Sequence, residues 1–176
     1  MLAILVAVAA PGADEWFWVP LLAASPLVAI ELWFDMRSRG RRLLPELAGT
    51  VGIGSVAAAV AIAGGTSTAL ALGLWTVVAA RAVAAIPYAR TQVFRARGKA
   101  PRPWPSDLAQ VVAVVAVSVA WWIDATPRAS AIAIAVVAVF NLGAVRAAPR
   151  PAKLIGLQQM FFGMAVVTVA TVVLRA

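Results

Sequence analysis

The stretch ALALGLWTVVAARAVAAIPY, residues 69–88, decides how the rest of the chain is read. It carries a single charge, Arg81, and a helix of twenty residues is about 30 Å long, the thickness of a bilayer's hydrocarbon core. Similar apolar blocks occupy 16–34, 45–63, 108–123, 129–145 and 154–174, with a shorter one at 1–10. Over all 176 residues 63% are hydrophobic and 12% are charged, about half the charge of a water-soluble domain. The apolar residues come in blocks rather than with the period of a half-buried element, so the bilayer is the expected solvent. The expectation is an all-α protein: one polytopic transmembrane helical bundle over 1–176 with six full spans at the long blocks. The block at 1–10 adds a short N-terminal apolar helix, about 15 Å long and unable to cross alone.

The sequence contains no Cys and no His. Disulfides, thiolate nucleophiles, His-containing zinc sites and Ser-His-Asp triads are therefore excluded, and neither a catalytic residue, a metal ligand set nor a cofactor is assigned. A net charge of +8 would raise nucleic-acid binding in a soluble domain. Here twelve of the fifteen Lys and Arg fall in three short gaps, 35–46, 89–107 and 146–153, while the alternate gaps hold only Arg128. That alternation makes the basic gaps cytoplasmic and the C-terminus external, in an inner membrane. It leaves the lipid bilayer as partner, with a further membrane protein in view and no nucleic acid. Six of the seven Trp fall at span ends, as an aromatic belt requires. The abundance of Ala and Arg suggests a high-GC bacterial gene.

Two readings of block 1–10 compete. Ala7-Val8-Ala9 has the form of a signal-peptide cleavage site, but no Lys or Arg precedes the apolar stretch. The preferred reading makes Met1 an internal start and the block the tail of a longer helix. Residues 52–57 match the G-x-G-x-x-A dinucleotide pattern, which needs a strand before it. Inside a membrane helix the better reading is close packing, with Gly54 and Ala58 spaced small-xxx-small. The 95–106 stretch, with Pro101, Pro103 and Pro105, is expected to be an irregular cytoplasmic loop and topology anchor.

The informative residues are ionisable and amide groups at membrane depth. Arg81 lies about 10 Å inside the span from Tyr88, and with Tyr88, Gln92 and Arg95 it falls within about 40° of one line of the helix. Pro87 should free the carbonyl of Val83. Glu31 and Asp35 share a face at i,i+4. Glu46, Asn141, Gln158 and Gln159 belong to the same inner half. One reading of this layer is a structural network in which Glu31 pairs with Arg81. The other is a cytoplasm-facing site for an amphipathic or anionic ligand, formed by Glu31, Asp35, Arg81, Tyr88, Asn141, Gln158 and Gln159.

On residues 32–35, 42–49, 79–82, 87–90, 156–159 and 162–163 the chain resembles the YwiC-like family of bacterial membrane proteins. The resemblance implies a membrane class and no reaction. Family members carry an Arg-Glu-His-Gly-Ala-Trp motif ahead of the present first block. That motif is absent from this sequence, in keeping with a start inside a longer unit. The layout is more distantly similar to UbiA-type prenyltransferases, which hold a diphosphate through magnesium on two Asp-rich motifs; only Glu31-x-x-x-Asp35 remotely matches one of them. Three function classes stay open: a non-catalytic membrane component, which the sequence favours, a UbiA-like enzyme acting on an isoprenoid or lipid, and a small-molecule carrier.

Overall fold

The computed structural model describes residues 16–173, so the block at 1–10 and Arg175 lie outside the described residues. Among the described residues there are six α-helices and no strand: α1 Val19–Asp35, α2 Leu43–Ala63, α3 Thr68–Ala96, α4 Trp104–Trp122, α5 Arg128–Ala144 and α6 Ala152–Val173. Prolines stand in the first turns of α1, α2 and α4, where a missing N–H leaves no intrahelical bond unmade. Ser67 caps α3 by accepting from the Leu70 amide at 3.4 Å. Gly65, at φ +82°, turns the chain out of α2.

Four helices, α2, α3, α4 and α6, are long and apolar enough to cross a membrane. The 17-residue α1 and α5 reach only about 25 Å. The apolar block 69–88 is the inner part of a longer helix. α3 runs on to Ala96 because the polar residues past Tyr88 pack inward, with Thr91 and Gln92 both buried.

Neighbouring helices in sequence are neighbours in space, and α3 also meets α5 and α6. Helices α3 to α6 therefore close on one another, around Val77, Ala80 and Ala84 of α3, Ala113 and Val117 of α4, Ile134 and Val137 of α5, and Val166 and Ala170 of α6. The α1–α2 hairpin is attached to the outside of this group through α2. Small residues set the spacing, as expected where helices gain by close approach. A Cβ at Gly54 would lie 3.2 Å from Val78, which bears out the packing reading of the glycine pattern. A Cβ at Gly73 would fall 1.6 Å from the carbonyl oxygen of Ala125, so α3 abuts the α4–α5 turn backbone to backbone. The exposed Leu, Val and Phe residues of α4, α5 and α6 form the outer surface, the arrangement of a protein solvated by lipid.

Candidate functional site: an amide layer around a buried arginine

Arg81 lies mid-way along α3, on the side turned toward α6, and is 7% exposed. Its Nη2 donates to the main-chain oxygen of Gln159 at 2.7 Å and to Gln159 Oε1 at 2.8 Å. Gln159 Nε2 donates to Asn141 Oδ1 at 3.3 Å, and Asn141 Nδ2 donates to Gln110 Oε1 at 3.3 Å. Gln110 Nε2 ends the chain on the Ala84 carbonyl at 2.8 Å. The series links α3, α6, α5 and α4 in a ring that returns to α3. Pro87 explains where it ends: a proline disturbs the helical bonding of the preceding turn and leaves carbonyls there in need of a donor. The acceptor used is Ala84, one residue beyond the expected Val83.

A second series lies nearer the end of the bundle formed by the C-terminus of α3 and the start of α6. Arg150 donates to Gln158 Oε1 at 3.3 Å, and Gln158 and Gln92 both reach the hydroxyl of the fully buried Tyr88 at 3.5 Å. Gln92 Nε2 also donates to the Ala144 carbonyl at 2.7 Å, and Arg95 to that of Val145. The last carbonyls of α5, which have no partner inside their own helix, are thus satisfied by α3.

Of the residues expected in one site, Arg81, Tyr88, Asn141, Gln158 and Gln159 come together. Glu31 and Asp35 do not join them. Glu31 sits half-buried at the inner end of α1, its carboxylate over Gly49, where an added Cβ would lie 2.3 Å from Oε1. Asp35 closes α1 and lies against Gly40 in an exposed turn rimmed by Arg39, Arg41 and Arg42. The Glu31–Arg81 pair is therefore corrected: α2 stands between α1 and α3, and the two side chains face different neighbours. Glu46 binds Arg90 at 2.8 Å instead. Gln110 is the member missed from sequence; its signal was an amide two residues inside the apolar block 108–123, which reads equally well as an interfacial residue.

Among the described residues the ion pairs are Arg90–Glu46 and Arg146–Asp107, both partly exposed. Asp107 holds the Arg146 guanidinium above its ordinary range through a two-pronged hydrogen bond and its charge. Arg81 meets only neutral amides. Its Nε and Nη1 are buried and make no hydrogen bond to a described residue, and Gln92 Oε1 is likewise unpartnered. Among the described residues no three Asp, Glu, His or Cys side chains gather closely enough to share a metal ion.

No curated protein and no solved structure matches the chain. The motifs at 79–90 and 156–163 lie outside the stretch that matches a family model. Residues 1–61 match the family model described as YwiC-like protein, a stretch that holds α1 and most of α2, with Glu31, Asp35 and Glu46.

Proposed function

We propose that this is a bacterial inner-membrane protein crossing six times, with its basic loops in the cytoplasm and its C-terminus outside. It acts as a non-catalytic membrane component whose inner-half amide layer holds an anionic group at Arg81. One observation carries the reading: among the described residues, a buried guanidinium has two unbonded nitrogens and no carboxylate within ion-pair distance. A charge at the centre of a span costs at least about 2.5 kcal/mol and is ordinarily neutralised by a partner. Neutral amides orient a guanidinium and leave its charge free for an anion, which a resident carboxylate would not do.

Purification in mild detergent followed by mass spectrometry tests this. An anionic molecule that accompanies the wild type and is lost from Arg81→Gln supports it. Equal recovery from both proteins overturns it. A stoichiometric protein in the same preparation would identify the complex in which the component works.

A further inference from the structure

On α6, Gln159, Phe162, Val166 and Val169 fall within about 80° of one line, so the stripe that bears the amide layer continues outward as hydrocarbon. On α5, Asn141 is followed in the same direction by Phe140, Val137, Val136 and Ala133. Between the two helices the apolar members of both stripes, with Ala129, Ile132 and Ala165 but without Gln159 or Asn141, line a groove of about 520 Å³. Phe140 and Phe162 meet edge to face, centroids 5.1 Å apart, at the end of the groove nearest the amides. Phe162 is three residues, about 4.5 Å of helix, from Gln159, whose Oε1 is 2.8 Å from Arg81. The apolar slot therefore ends within one helical turn of Gln159 and Asn141, the amides that lead on to a buried cation with unbonded donors.

We infer that this groove seats one hydrocarbon chain of an anionic phospholipid whose phosphate is held at Arg81. The inference rests on the reading of the amide layer as an anion site and names its ligand. Charge complementarity selects the head: the guanidinium charge is met by no carboxylate among the described residues, and Nε and Nη1 each keep a donor from which a phosphate oxygen can accept. The groove selects the tail, since its lining residues are Ala, Val, Ile and Phe. Polarity agrees as well. In the orientation proposed above, a lipid of the inner leaflet carries its head on the cytoplasmic side of the groove and points its chain toward the bilayer centre, as the groove does.

The experiment uses the full chain, delipidated in a neutral detergent and titrated with dioleoyl phosphatidylglycerol, dioleoyl phosphatidylcholine and, separately, soluble glycerol phosphate. Binding is read by native mass spectrometry and thermal shift. The wild type is expected to prefer phosphatidylglycerol over phosphatidylcholine by about tenfold or more, the worth of a charge-assisted contact. Arg81→Gln should erase that preference. Ala165→Trp, which fills the groove from its exposed side, should weaken phosphatidylglycerol by about tenfold while leaving the response to glycerol phosphate intact. Ala129→Phe repeats the blockade from α5 if Ala165→Trp is poorly folded.

Retained phosphatidylglycerol binding in both groove variants, with loss in Arg81→Gln, overturns the groove assignment and leaves the anion site standing. An Arg81→Gln protein that keeps the head-group preference overturns both. A protein partner that occupies the wild type in place of lipid, and is displaced by Ala165→Trp, assigns the groove to that partner and overturns the lipid.

Discussion

Replacing Arg81 by Met should make the lipid-free protein more stable. Met keeps a long, flexible apolar side chain in the same space. What is lost is the pair of hydrogen bonds from Nη2 to Gln159. Interhelical bonds of this kind in a membrane bundle average about 0.6 kcal/mol each, or about 1.2 kcal/mol for two. What is gained is the cost of holding a charge at depth, at least about 2.5 kcal/mol, part of it arising from the two buried donors that find no acceptor. The difference favours Met by about 1 kcal/mol, and at this chain length that corresponds to a rise of roughly 2–4 °C in Tm. The assay is a thermal melt of delipidated wild type and Arg81→Met in neutral detergent. Adding the anionic ligand should invert the order, because a ligand that binds only the folded wild type stabilises it by mass action. A fall in Tm of 2 °C or more in the lipid-free variant would refute the reasoning, since it would make Arg81 a strut rather than a cation kept for a partner.

Glu31→Gln combined with Arg81→Met should give the sum of the single effects to within about 0.5 kcal/mol in the same melts, as residues without a shared contact do. Gln110→Leu removes the donor to Ala84 and the acceptor for Asn141, and should cost about 1–2 kcal/mol, read as a lower Tm. Gly73→Ala should destabilise by about 1–3 kcal/mol or prevent folding, because the clash is with the Ala125 backbone. Gly143→Ala, where an added Cβ meets nothing within 4 Å, should be neutral or stabilising by up to about 1 kcal/mol. Reporter fusions after Thr66 and after Lys99 should report an external and a cytoplasmic position respectively; the opposite pair of signals would reverse the proposed topology.

The helices were legible because apolar blocks and their proline and glycine borders are local properties of the chain. The alignment of Arg81, Tyr88 and Gln92 was legible for the same reason: a single helix fixes it by rotation per residue. Partner choice was not. Glu31 and Arg81 have suitable charge and comparable depth, yet which helix stands between them depends on the packing order, and α2 takes that place through Gly49, Gly52 and Gly54, whose lack of side chains lets α1 and α3 approach its two sides. Gln110 was missed because an amide near the end of an apolar block looks the same whether it faces headgroups or a proline-disturbed carbonyl on the next helix. The groove was invisible for a related reason. Ala, Val and Phe are equally suited to a packed seam and to an open one, and only the spacing of α5 from α6 separates the two.

The order in which the bundle closes bears on how it is made. Among the described residues, every extensive helix contact but those of α3 with α5 and α6 joins consecutive helices and can form as each hairpin leaves the ribosome. Arg81 is different, since its partner Gln159 lies 78 residues later in the chain. At about 5–20 residues per second, translation of that interval takes roughly 4–16 s. Throughout that time the cation must be accommodated by snorkelling toward the cytoplasmic surface or by lipid phosphate. Newly made α3 therefore carries an arginine without its partner until α6 arrives. Helix α6 acts as the latch of assembly.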